Sequence, residues 1–131
     1  MEICRATPER HAELLSILDA AAIRTDSDAT RSAIERGDVL IALRDHGTEA
    51  QRDHSVPVVG TLVVDGAEIV AIAVRPGRRG QGIGRALVTR AKQDRQRLVA
   101  EFDPGVRPFW AAVGFEIQEG ESNRLTGVWR E

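Results

Sequence analysis

Tyrosine does not occur among the 131 residues, so no phenolic hydroxyl is available anywhere in the chain as a proton donor. Aromatic residues make up only 4% of the sequence, which leaves little for the base stacking that single-stranded nucleic-acid binding relies on. Cys4 is the only cysteine, and that excludes an intrachain disulfide and a thiolate metal cluster. Lys92 is the only lysine, so arginine supplies nearly all of the positive charge. No segment approaches the roughly 20 consecutive apolar residues that span a bilayer. The start of the chain, MEICRATPER, carries charges where a secretory signal would need an apolar run. A net charge of −2 gives no electrostatic case for nucleic acid or for an anionic membrane. A soluble, cytoplasmic protein is expected.

With 42% hydrophobic and 29% charged residues, the composition is that of an ordinary globular protein. Residues 1–131 are long enough to bury a core and short enough to form one domain. Ile3 to Arg5 reads as a short strand. Thr7-Pro8 then reads as an N-cap with proline at the first helical position, where its missing N–H costs nothing. Leu14, Leu15, Leu18, Ala21 and Ala22 give the following helix an apolar stripe. Asp26 or Ser27 caps a second, shorter helix that Gly37 ends.

DVLIALRD and VVGTLVVDG are strands, joined by the polar stretch HGTEAQRDHSVP at 46–57 as a long loop. Asp65-Gly66 is a tight turn into AEIVAIAV, where unbroken apolar residues from Ile69 to Val74 predict a central strand covered on both faces. Behind the glycine-rich stretch comes a helix with Ile83, Ala86, Leu87 and Ala91 on one side. RLVAEF is a further strand, parallel to the one before it because a helix intervenes. Val106, Phe109, Trp110 and Val113 make a one-sided helix ending at Gly114, and FEIQ with LTGVW forms a closing antiparallel pair. The expected order is β-α-α-β-β-β-α-β-α-β-β, a mixed α/β sheet flanked by helices.

The stretch RRGQGIGRALV places Gly80, Gly82 and Gly84 between a strand and a helix. The first amides of a helix have no intrahelical partner, and the helix dipole favours an anion there. Glycine removes the Cβ atoms that would hold a phosphate at a distance. A nucleotide-triphosphate loop would continue Gly-Lys-Ser/Thr, whereas Gly84 is followed by Arg85-Ala86. A dinucleotide fingerprint would need another glycine spacing and a place in the first βα unit.

Arg79-x-x-Gly82-x-Gly84 matches the Arg/Gln-x-x-Gly-x-Gly/Ala signature of the GNAT N-acetyltransferase superfamily. RPFWAAVGFEI resembles that family's FYxxxGF segment, with Phe109, Gly114 and Phe115 in register. The resemblance implies a mixed, mostly antiparallel central sheet and acetyl-CoA as co-substrate. It places the pyrophosphate on the backbone amides of Arg79, Gly80, Gln81, Gly82, Ile83, Gly84 and Arg85. The pantetheine arm would pair with the main chain of Ile72, Ala73 and Val74, and the next strand would diverge to open a cleft. Arg78, Arg79 and Arg85 would add charge at the phosphates.

Acetyl transfer to a primary amine needs a base for the ammonium proton, a donor for the thioester carbonyl and a proton for the leaving thiolate. The resemblance offers direct attack in a ternary complex, with the Val74 N–H on the carbonyl. Glu68 is the candidate base. It opens an apolar strand, where partial burial would raise its pKa, and it stands eleven residues before Arg79, the spacing of the histone-acetyltransferase branch. Trp110 stands where many relatives carry a tyrosine as the acid for the thiolate, and an indole N–H is no such acid. Either the thiolate leaves unassisted or is protonated by water, or the domain is a catalytically impaired acyl-CoA-binding module.

Glu101 and Asp103 read either as contacts for a cationic acceptor at the cleft mouth or as ordinary surface carboxylates. Cys4 reads as packing rather than as an acyl-enzyme nucleophile. His11, His46 and His54 have no ligand spacing, so no metal is assigned. The amine acceptor, of small-molecule or peptide type, would be set by the first two helices, the loop at 46–57 and the last strands. A homodimer through those strands is compatible with the resemblance.

Overall fold

Alternating and continuous apolar runs separated by short turns give seven strands among the described residues: β1 (Glu2–Arg5), β2 (Val39–Leu43), β3 (Val58–Asp65), β4 (Glu68–Val74), β5 (Arg97–Phe102), β6 (Glu116–Glu119) and β7 (Leu125–Arg130). Four helices accompany them: α1 (His11–Ala20), α2 (Ser27–Glu35), α3 (Ile83–Gln93) and α4 (Arg107–Ala112). The structure, a computed structural model, describes residues 1–21, 23, 26–44, 56–119 and 123–131. Ala22 of the expected first-helix stripe, and His46 and His54 of the expected long loop, lie outside these. The element order is the expected one.

The strands form one sheet in the order β1-β2-β3-β4-β5-β7-β6, antiparallel throughout except for β4 against β5. Helices cover both faces, which is why β2 is buried along its whole length and β3 up to Asp65. On one face Leu14, Ile17 and Leu18 of α1 and Ala33 and Ile34 of α2 pack on Ile41, Val63, Ala71 and Ala73. On the other, Ile83, Leu87, Val88 and Ala91 of α3 and Trp110 of α4 pack on Leu62, Val64, Ile69 and Leu98.

Three local expectations change. Pro8–Arg10 form a single 3-10 turn, Thr7 makes no side-chain capping bond, and regular helix begins only at His11. Leu15 is half-buried and Ile17 takes its place in the core, because the face that meets the sheet is centred on Leu14, Ile17 and Leu18. Asp26, by contrast, caps α2 as expected, its carboxylate accepting the N–H groups of Asp28 and Ala29 at 2.8 and 3.3 Å.

The third change matters most for function. Val63 pairs with Ala71 but Val64 pairs with Ile69, so Val70 is an extra residue on β4, a β-bulge. The stretch from Ile69 to Val74 is therefore not covered on both faces: Val70 is 48% exposed, and Ile72 and Val74 are only half-buried. The side next to them is open because β5 pairs with β4 at Glu68↔Val99 and Ile69↔Ala100 and nowhere beyond.

Cys4 is buried on β1 at 7% exposure. Burial raises its thiol pKa, the Glu2 carboxylate adds to the rise, and Arg10 partly offsets it. Two outcomes follow. A thiol reagent will label the native protein at least about 100-fold more slowly than the unfolded one. And because the folded chain keeps a proton that the unfolded chain releases, the contribution of this group to stability is complete below the ordinary thiol pKa and is lost as pH rises through the raised one. Labelling kinetics with and without urea, and unfolding midpoints followed into alkaline pH, check the two.

Candidate functional site

The departure of β5 from β4 leaves a fork, and the fork holds a cleft of about 780 Å³. One wall is β4 from Ile69 to Val74, and the other is Ala100, Glu101, Phe102 and Asp103 together with Val106, Phe109 and Trp110. Ala21 and Ile23, just beyond α1, and Arg124, just before β7, close the mouth.

The backbone of β4 is aimed into this fork by the ladder itself. The Arg75 N–H donates to the Val59 carbonyl at 2.9 Å, so 75 and 59 form a hydrogen-bonded pair. Pairs alternate in an antiparallel ladder. Gly60↔Val74 and Leu62↔Ile72 are then the non-bonded pairs, and the N–H and C=O groups of Ile72 and Val74 point away from β3 toward the place that β5 has vacated. An extended chain lying in the fork would meet them as a neighbouring strand would. Ala73 faces the opposite way in its bonding and packs its side chain under α1.

At the end of β4 the chain turns through Pro76–Arg78 into α3. Gly82 is the N-cap residue, held at φ +81° in the left-handed region that favours glycine. The amides of Ile83, Gly84 and Arg85 are the first of the helix and lack intrahelical acceptors. Gly84 has a second reason to be glycine, since a Cβ there would lie 3.2 Å from the ring of Phe109. That contact seats α4 against the start of α3. A hollow of about 320 Å³ lies over this turn, bounded by Arg78, Arg79, Gly80, Gly82, Gly84, Arg85 and Phe109. It shares Val74, Arg79, Gly84 and Phe109 with the cleft, so the two form one track. Nine of the loop and strand positions singled out in the sequence, Ile72 to Val74, Arg79, Gly80 and Gly82 to Arg85, line this track, whereas Gln81 faces a separate small hollow beside Met1, Arg44 and Val59. Arg78, Arg79 and Arg85 have no carboxylate within ion-pair distance among the described residues, unlike Arg75, Arg90 and Arg95. Among the described residues the turn thus combines arginines that face no carboxylate with helix-start amides that lack intrahelical acceptors, an arrangement that favours an anion. Lys92 is used structurally: its ammonium donates to the Val113 carbonyl and lies 5.2 Å over the Trp129 ring, tying α3 to the end of α4.

The expected catalytic residues are distributed differently. Glu68 is exposed, not partly buried, so the burial on which its activation was expected to rest is missing. It sits at the closed end of the fork, paired with Asp65 and Val99, and is not among the cleft-lining residues, although Ile69 and Val70 beside it are. Glu101 and Asp103 do line the cleft. Asp103 accepts the Gly105 N–H at 2.8 Å, and Glu101 pairs with Arg124 at 2.9 Å. Trp110 faces the cleft at only 4% exposure, with Phe102, Phe109 and Phe115 around it at ring-centre distances of 5.3, 5.1 and 5.0 Å.

The sequence offered no signal for Val70, Ile23 or Arg124. An apolar run conceals a bulge, and the other two reach the cleft by tertiary packing. The exposure of Val70 and Val106, at 48% and 46%, marks the cleft as a partly apolar surface that is left open.

The family model described as acetyltransferase (GNAT) domain matches residues 35–117, more than half of the chain. Among solved structures, Rv2747 from Mycobacterium tuberculosis, determined in complex with CoA, is 24% identical with a TM-score of 0.74, over 92% of this chain and 74% of that one. PaiA N-acetyltransferase from Thermoplasma acidophilum, in complex with coenzyme A, is 14% identical at a TM-score of 0.73, covering 99% and 98%. NAA60 from Arabidopsis thaliana, in complex with a bisubstrate analogue, is 16% identical at 0.75, covering 98% of both chains. At these identities the likeness is one of fold. No curated protein matches the chain.

Proposed function

Because the chain belongs to the GNAT acetyltransferase family, we propose that it transfers the acetyl group of acetyl-CoA to a primary amine in a ternary complex. The observation that carries this reading is the single track from the unpaired backbone of Ile72 and Val74 to the free amides at the start of α3. A pantetheine arm has amides that can pair with a strand edge, and a pyrophosphate matches a helix N-terminus flanked by arginines. The CoA complexes of Rv2747 and PaiA, which share the fold, support CoA as the class of ligand.

In the proposed reaction the amine nitrogen, having lost a proton, attacks the acetyl carbonyl carbon. The Val74 N–H donates to the developing oxyanion. The C–S bond then breaks as the nitrogen, now part of the amide, gives up its second proton to water, and the departing CoA thiolate takes a proton from water to end as the thiol. A thiol has a pKa near 8.5, so the thiolate is a fair leaving group without a dedicated acid. This suits a chain whose Trp110 cannot supply a proton. Glu68 is the proposed base, since its carboxylate is exposed, next to the cleft wall and without an ion pair among the described residues, whereas Glu101 is held by Arg124.

Glu68→Gln is expected to lower kcat by about 100-fold, within the usual range for loss of a general base. Glu101→Gln should change kcat less than about threefold. Unchanged turnover across pH for Glu68→Gln, with loss in Glu101→Gln, would move the role to Glu101. Release of CoA in the presence of a panel of amines tests the activity itself. Selective CoA binding without any such release would favour the alternative reading, a module that binds acyl-CoA and does not turn it over.

A further inference from the structure

Glu13 lies outside the cleft, in the first turn of α1, yet its carboxylate joins three parts of the chain. Oε1 accepts from Arg10 at 3.0 Å. Oε2 accepts the Val58 N–H at 3.0 Å and lies 3.6 Å from the Arg75 guanidinium. Arg10 is 2% exposed and also donates to the Val56 carbonyl at 2.7 Å, so the carboxylate is anchored from beneath by a buried cation.

Arg75 is the joint between β4 and the glycine turn. Its N–H is bonded to the Val59 carbonyl at 2.9 Å, its carbonyl accepts the Arg78 N–H at 2.8 Å, and its Nε donates to the Val58 carbonyl at 2.7 Å. The joint is thereby held on three sides: main chain to the sheet, main chain to the turn, and side chain to β3 and Glu13. The direction in which the chain leaves β4 sets where the amides of residues 82–85 stand relative to the fork. The other end of α1 leads to Ala21 and Ile23 at the cleft mouth.

We propose that the Glu13–Arg75 contact is a latch that positions the glycine turn for the coenzyme, making Arg75 and Glu13 positioning residues for acetyl-CoA binding. The proposal rests on the coenzyme reading above. Neither side chain lines the cleft or the hollow over the turn, so any effect on the coenzyme runs through geometry.

The test is titration of acetyl-CoA into the full chain and its Arg75→Gln and Arg75→Lys variants, with steady-state kinetics and thermal melts alongside. Arg75 is changed first because Glu13→Gln would alter at once the contacts that this carboxylate makes with Arg10, with the Val58 N–H and with Arg75. Misplacement of a binding group by a fraction of an ångström predicts a roughly tenfold higher Kd and KM for acetyl-CoA in Arg75→Gln, with kcat at saturation falling far less. Arg75→Lys, which keeps the charge facing Glu13, should recover part of the affinity. A lowered melting temperature with wild-type Kd, or a fall in kcat at unchanged KM, would overturn the latch. Absence of binding by the unsubstituted protein is a separate result and would overturn the coenzyme reading itself.

Discussion

Replacing Gly82 with glutamate is expected to weaken acetyl-CoA binding by more than about 100-fold, equivalent to about 2.7 kcal/mol or more. Two effects add. Gly82 is held at φ +81°, and an L-residue there costs about 1–2 kcal/mol of backbone strain unless the turn relaxes. Relaxation would rotate the amides that open α3. The carboxylate would also stand at the positive end of the helix, filling the place of the phosphates and repelling them. No heavy atom lies within 4 Å of a Cβ built at this glycine, so the variant is not expected to fail by collision with the protein. Gly82→Asn separates the two effects, because asparagine tolerates the left-handed region and carries no charge. It should lose less than about tenfold. Isothermal titration of both variants with acetyl-CoA, beside dephospho-CoA and non-CoA nucleotides, makes the measurement. If the glutamate variant binds as well as the parent, the turn is no phosphate site; if neither binds, the family fold has been retained here without its coenzyme.

The parts of this molecule that could be read in advance are those decided by neighbours in the chain. Asp26 caps α2 because its carboxylate reaches amides two and three residues on. The turn at Asp65-Gly66 and the glycine turn before α3 depend on residues that tolerate unusual backbone angles, and Gly66 and Gly82 do adopt positive φ. The closing pair of β6 and β7 follows from two short alternating runs. The fork is a different matter. Nothing in EIVAIAV distinguishes a strand covered on both faces from one whose neighbour departs after two residues, and only the family resemblance pointed to an opening there. The bulge at Val70 is decided by pairing with β3, and it is what turns an apolar side chain outward. The Glu13 contacts with Val58 and Arg75 span 45 and 62 positions and follow from how α1 is laid across the sheet. A carboxylate on a first helical turn gives no hint of them. Glu68 shows the reverse error, a residue type and spacing that matched while its burial did not.

Trp110→Ala is expected to destabilise the protein by about 3–5 kcal/mol, the usual loss for truncating a buried large aromatic, and so to remove about a fifth or more of the roughly 5–15 kcal/mol typical of a domain. The chain has few aromatic residues, and this is where they are concentrated. All three phenylalanines lie against this indole, one stacked at 18° and two edge-on at 86° and 70°. Phe102 ends β5, Phe109 packs on Gly84, and Phe115 leads into β6, so the ring joins the far wall of the fork to the glycine turn. Loss of the ring should therefore lower the unfolding midpoint and acetyl-CoA affinity together. Trp110→Phe keeps the aromatic packing, at a cost of about 1–2 kcal/mol, and should retain wild-type turnover, because the indole is no proton donor to the thiolate. Trp110→Tyr is the sharper substitution, since it introduces the hydroxyl that this chain lacks altogether. If the thiolate leaves unassisted, turnover should stay within about threefold of the parent, far below the 10²–10⁴ that a general acid supplies where one is needed. A rise of tenfold or more would mean that proton delivery to the leaving thiolate limits the parent, and that the missing tyrosine marks a domain nearer to a coenzyme-binding module than to an efficient enzyme.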